Sequence, residues 1–201
     1  MPILNWESIE SDRDYNYYLY GYKPSSDYWT EAVIPSIKLE TALMSYSFPT
    51  EEKNVDSIIY GVMKDNAPDI LTTYGLEPFS IKVQSINRTF IDKIYALCDY
   101  YLENKSERYS RHLYDLHMLY PTISVTDDFK SLIQQVREHR AQLPSCPSAK
   151  DGVDIKALIN EFLNKNFYKS DYNNITRTLI SDNVTYEQTV TSLKEIANKL
   201  F

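Results

Sequence analysis

The chain has 201 residues, among them 18 tyrosines and 4 glycines, and a formal net charge of -7. That length supports one domain or two small ones around a buried core, and the acidic balance argues against non-specific binding to a nucleic-acid backbone. No run approaches the ~20 apolar residues of a membrane span, and the N-terminus MPILNWESIESDRD carries acids where a leader would be basic and then apolar, so a cytoplasmic protein without membrane contact is expected.

The strand signals fall in the first ~85 residues. DYNYYLYGY places tyrosines on both faces of one strand, and YKPSSD and FPTEEKN read as turn chemistry. After Pro35, the alternation Ile37, Leu39, Thr41, Leu43 against Lys38, Glu40, Ala42 predicts a half-buried strand, with Glu40 facing away from Leu39. NVDSIIYGVMKDN reads as a short amphipathic helix. FSIKVQSI alternates most cleanly and predicts a further strand.

From Thr89 the period changes from two to 3.6. Thr89 with Asp92 resembles a capping box, and Phe90, Ile94, Leu97, Cys98 and Tyr101 form an apolar stripe about four turns long. Cys98 and Cys146 lack metal or disulfide spacing, and the bland reading is a buried thiol. A helix is expected from Arg111 to Tyr120, another from an N-cap at Thr126 through VREHRAQ, and two more in DIKALINEFLNKNF and TYEQTVTSLKEIANKLF. The expected class is α+β, a small mostly antiparallel or mixed β-sheet in residues 1–88 followed by a helical bundle in residues 89–201.

The stretch SRHLYDLHML sets two histidines and an aspartate in an otherwise apolar helix. At 100° per residue, Lys93 falls about 60° to one side of the Phe90 stripe, so its stem is partly buried while its ammonium reaches the edge. Arg111 and Asp115 stand one turn apart, and His112 and Asp115 at i, i+3. These residues either form an ordinary helix-surface ion pair beside a core histidine, or they hold a fixed, ionised carboxylate for chemistry. The second reading predicts Lys93 and Asp115 within hydrogen-bond or one-water reach, with Glu40 open to the same cleft.

RTFIDKIYAL followed by RYSRHLYDLHML resembles the nucleotidyltransferases of the AbiEii/AbiGii toxin family, whose later motifs read T-F-x-[ED]-K-I and R-x-S-R-H-x-Y-D-L. Thr89, Phe90, Asp92, Lys93 and Ile94 match the first, and Arg108, Ser110, Arg111, His112, Tyr114, Asp115 and Leu116 the second. The resemblance runs from about Lys38 to the C-terminus. It implies a polymerase-β-like enzyme of a bacterial toxin–antitoxin or phage-defence (abortive infection) system, using a nucleoside triphosphate and Mg²⁺ on an RNA or protein acceptor. It makes Lys93 and Asp115 the catalytic pair: Lys93 contacts phosphates, and Asp115 orients or deprotonates the accepting group. Arg108, Arg111 and His112 become supporting or phosphate-binding residues. Leu39-Glu40-Thr41 loosely matches the strand that supplies a metal-binding acid.

The sequence departs from that family at the front. No Gly-Ser or Gly-Gly turn followed by Asp-x-Asp precedes Glu40, and Asp12-Arg13-Asp14 lacks the glycine turn and reads as a solvated loop. The chain therefore looks like the later two-thirds of such an enzyme, truncated, mis-started, or completed by a second chain that supplies the missing motif. Two readings stand: a nucleotidyltransferase-like protein incomplete as a catalyst on its own, or a non-catalytic remnant or partner-binding module of the same descent. An antitoxin is the expected partner. An exposed sheet edge left by the missing front would favour a homodimer.

Overall fold

In a computed structural model, the described residues are 2–8, 10–11, 15–23, 36–42 and 48–201. The chain divides into two compact units, Met1–Ser47 and Phe48–Phe201. The acid pair Asp12 and Asp14 and the start of the expected strand at Pro35 lie outside the described residues.

The first unit is an antiparallel sheet of β1 (Glu10–Ser11), β2 (Tyr15–Gly21) and β3 (Ser36–Ala42) in the order β1-β2-β3. Register places Tyr17 opposite Glu40 and Tyr18 opposite Leu39, so the period of two sorts the tyrosines between faces. Tyr15, Tyr17, Lys38 and Glu40 share one face; Tyr18 and Tyr20 share the other with Leu39 and Ile37. The start of the chain adds a bridge from Ile3 to Tyr20. Leu4 lies against Gly21, where a Cβ would come within 2.7 Å of the Leu4 side chain, so the close approach depends on glycine.

The second unit begins with an antiparallel pair, β4 (Thr50–Val55) and β5 (Phe79–Gln84), joined through α1 (Ile58–Met63) and α2 (Pro68–Tyr74). FPTEEKN is thus mostly strand, correcting the turn reading. TEEKNV has no apolar alternation to reveal it; pairing with the well-patterned β5 decides its conformation. The NVDSIIYGVMKDN helix starts at Ile58, capped by the Ser57 side chain, because Asn54 and Val55 are held in the β4 ladder. The short α2, which the period did not show, ends on Gly75 in the left-handed conformation at φ 60°.

The helical part follows as α3 (Ile86–Leu102), α4 (Arg111–Leu119), α5 (Asp127–Ala141) and α6 (Ile155–Asn164). Then come α7 (Lys169–Asp171), a π-helical turn Tyr172–Thr176, α8 (Arg177–Leu179) and α9 (Tyr186–Leu200). Helix α3 is capped by Ser85, whose side chain accepts from Arg88 N, so Thr89 lies inside the first turn. Both residues are cap-competent, and the end of β5 at Gln84 selects the earlier one. Phe90, Ile91, Ile94, Leu97 and Cys98 are buried against Leu113 and Leu116 of α4, Phe129 and Val136 of α5, Ile159 and Phe162 of α6, and Leu193 and Ile196 of α9. Each such side chain contributes about 1.5–3 kcal/mol when fully removed from water. The class is α+β, with two antiparallel sheets, and among the described residues no helix is long and apolar enough to cross a membrane.

Candidate functional site

The flank of α3 that carries Lys93 meets α4. Lys93 Nζ donates to Asp115 Oδ2 at 2.6 Å, and the two side chains keep 23% and 33% of their surface exposed. Both are therefore within reach of a ligand while anchored by their stems. The edge position derived from helical spacing is what places the ammonium there.

His112 Nδ1 lies 3.6 Å from the same Asp115 oxygen, is buried, and makes no hydrogen bond. Burial alone would raise the Asp115 pKa. The His112 imidazole and the Lys93 ammonium outweigh it, and the carboxyl is held below its ordinary value of 3.8. Such a lowered group stabilises the fold above the unfolded-state value and loses that contribution as pH falls through the folded one. Asp115→Asn is thus expected to lower urea stability relative to wild type at neutral pH, with the gap closing as pH falls below 3.8. A gap that persists unchanged to about pH 2 would show that the carboxylate charge is not what stabilises.

Arg111 does not take the expected i, i+4 partner. It is exposed, and among the described residues neither Arg111 nor Arg108 forms an ion pair. Asp115 had two cations within geometric reach, and the one across the helix pair holds it. The guanidiniums of Arg108, in the turn before α4, and Arg111, in its first turn, are thus left with their donors unspent on acids among the described residues.

The Arg108–Ser110 turn before α4 is held from far away. Asp171 accepts from Arg108 N at 2.7 Å and Ser110 N at 3.0 Å, and the Ser110 and Thr176 hydroxyls meet at 2.7 Å, the first bond half-buried and the other two buried. Arg108 sits at φ 68°, a left-handed conformation costing an L-residue roughly 1–2 kcal/mol. The ring of Tyr109 stacks on Tyr100 of α3 at 3.6 Å between centroids, and Tyr100 lies parallel to His112 at 6.0 Å.

The opposite flank of α3 carries a second polar group. Asp92 accepts from Arg88 Nε at 2.8 Å, Gln84 Nε2 at 2.8 Å and Arg140 Nη1 at 3.1 Å; Asp99 accepts from Arg140 Nη2 at 2.7 Å and Ser148 N at 2.8 Å. Arg88 also donates to Phe48 O, tying the chain just before β4 to β5, α3 and α5. Asp92 matches a motif position next to Lys93, yet its bonds are all to the scaffold. Sequence spacing shows the Arg88 to Asp92 pair at i, i+4, but Arg140, 48 residues on, and Asp171, 61 residues beyond Ser110, carry no local signal.

Glu40 belongs to the other unit. On β3 its Oε1 accepts from Tyr15 OH at 2.8 Å and pairs with Lys38 at 2.7 Å. Lys38 first and Tyr15 second hold the carboxyl below its usual value. Among the described residues no group of three or more His, Cys, Asp or Glu could hold a metal ion. Mg²⁺ dehydrates reluctantly and is held by one or two carboxylates together with substrate phosphates, and Glu40 and Asp115 are each already paired with a lysine, so neither fits it unaided.

A protein-family model described as Nucleotidyl transferase AbiEii toxin, Type IV TA system, matches residues 7–195. The match takes in the tyrosine-rich strands as well as both later motifs, and so begins well before Lys38. No curated protein and no solved structure matches the chain.

Proposed function

The chain belongs to the AbiEii nucleotidyl transferase toxin family, and on that premise we propose that it is the nucleotide-handling protein of a bacterial toxin–antitoxin system of the phage-defence kind. The observation that carries this reading is the Lys93 to Asp115 contact at 2.6 Å, with the exposed Arg111 one helical turn before Asp115 and the exposed Arg108 in the turn that leads into α4. Transfer of a phosphoryl or nucleotidyl group consists largely of positioning and charge neutralisation, and these side chains supply cations and one ionised acid. An ammonium has three donors, and Asp115 uses one. Lys93, with Arg108 and Arg111, binds the triphosphate. In a completed catalyst Asp115 would orient or deprotonate the hydroxyl of an RNA or protein acceptor, with the His112 imidazole 3.6 Å from its Oδ2 favouring the ionised form; the chain on its own is incomplete as a catalyst. Mg²⁺, when bound with the nucleotide, would neutralise phosphate charge; no step is routed through Glu40, whose Oε1 is already engaged. An antitoxin is the partner the family implies.

Titration of a fluorescent nucleoside triphosphate into the purified chain tests the reading. Binding is expected to weaken about 10–100-fold in Lys93→Ala, the worth of one or two charge-assisted hydrogen bonds. Binding that is absent in wild type, or unchanged in Lys93→Ala, would instead favour the non-catalytic remnant, in which Lys93 and Asp115 only hold two helices together.

A further inference from the structure

We infer that Asp171 is the positioning residue that brings Arg108 onto the same triphosphate as Lys93 and Arg111. Its carboxylate is 7% exposed, and both oxygens are spent on backbone N–H groups of one turn, those of Arg108 and Ser110. A buried carboxylate so completely used on a turn 61 residues away fixes that turn's geometry rather than reaching solvent itself.

The π turn Tyr172–Thr176 explains how one helix end grips twice. At α-helical spacing, residues five apart diverge by about 140°, whereas a π turn closes i to i+5 and sets them on one side. Asp171 and Thr176 are five apart, and both reach the turn: Asp171 takes the two amides, and Thr176 meets the Ser110 hydroxyl. Tyr100 holds the turn from the α3 side through the Tyr109 ring.

The residue so held points to a use for the side chain. Arg108 takes the left-handed conformation that glycine would adopt without penalty, yet it carries an exposed guanidinium with no ion pair among the described residues. A turn needed only for its shape would be better served without that side chain. Ser110, the other end of the clamp, is the residue on which α4 begins, and α4 delivers Arg111, His112 and Asp115. One carboxylate thus sets both the Arg108 guanidinium and the start of the helix that bears the rest of the site.

The inference rests on the triphosphate-binding reading, and a double-mutant cycle separates the two. Mant-ATP and mant-GTP are titrated into the full chain and into Asp171→Asn, Arg108→Ala, the double variant and Lys93→Ala, each checked for folding by circular dichroism. Arg108→Ala is expected to weaken binding about tenfold and Asp171→Asn at least as much, with the double variant clearly short of the product of the two, while Lys93→Ala combined with Asp171→Asn in a second double variant costs its full effect again. A merely structural Asp171 would weaken all contacts alike and leave no coupling peculiar to Arg108. If Asp171→Asn does not fold, Thr176→Val, which removes only the hydroxyl grip on Ser110, replaces it in the cycle. Arg108→Ala costing the same in both backgrounds overturns the inference and leaves the binding reading standing. Absence of binding in wild type removes both.

Discussion

Replacing Arg140 by alanine is expected to destabilise the helical unit by about 3–5 kcal/mol, the cost of leaving buried charge without its partner. The Arg140 side chain is 16% exposed, and it bridges Asp92, 21% exposed, to Asp99, 6% exposed. Its loss leaves Asp99 with one backbone donor, Ser148 N, and takes from Asp92 the contact that joins α5 to α3. Desolvated carboxylates facing one another across the vacated space would be compensated neither by water nor by Arg88, which already donates to Asp92 and Phe48 O. For a unit of this size the change corresponds to a fall in melting temperature of roughly 10 °C. Lys165→Ala removes a solvent-exposed pair with Glu161 and should leave the unfolding midpoint close to that of wild type. Chemical unfolding of the two variants beside wild type decides the matter. A cost below about 1 kcal/mol for Arg140→Ala would mean that the network is wetter than its burial indicates.

What the sequence disclosed follows from where the deciding interactions lie. The α3 stripe and the edge position of Lys93 were legible because a helix repeats its environment every 3.6 residues, so local spacing reports a distant partner's face. Strand β5 was legible by the same logic at period two. Strand β4 was not, because TEEKNV carries charge on both sides and becomes a strand only by pairing with β5. The partner of Asp115 was ambiguous for a related reason: Arg111 at i, i+4 and Lys93 across the helix pair both suit a carboxylate, and packing of α3 on α4 chooses between them. Asp171 and Arg140 illustrate the limit. Each bonds residues tens of positions away, and neither KSDYNN nor REHRAQ carries a local spacing that reports such a partner. Both residues support the motifs from behind, so the motifs could be read while their foundations could not.

The purified chain, given a labelled nucleoside triphosphate, Mg²⁺ or Mn²⁺ and bacterial RNA, is expected to yield no labelled product, although it holds the triphosphate. Binding and transfer draw on different parts of the molecule. On the proposed reading Lys93, Arg108 and Arg111 attract a polyphosphate, whereas transfer also needs a metal gripped by acids and a backbone turn on the phosphates. The sequence contains no Gly-Ser or Gly-Gly turn before an acid pair, and no cluster of metal-binding side chains is found among the described residues. The same separation predicts opposite outcomes at the two ends of the central contact. Lys93→Ala loses triphosphate, while Asp115→Asn tightens it about tenfold, because it frees an ammonium now paired at 2.6 Å and removes a negative charge that opposes phosphate by a few kcal/mol at such range near a surface. Equal weakening by both substitutions would mean that the pair acts only as a clasp between α3 and α4. Labelled product that disappears in Lys93→Ala and Asp115→Ala would overturn the larger expectation. The acids completing the metal site would then have to come from residues outside those described, and Asp12 and Asp14, two apart as a bridging pair requires, are the ones to replace first.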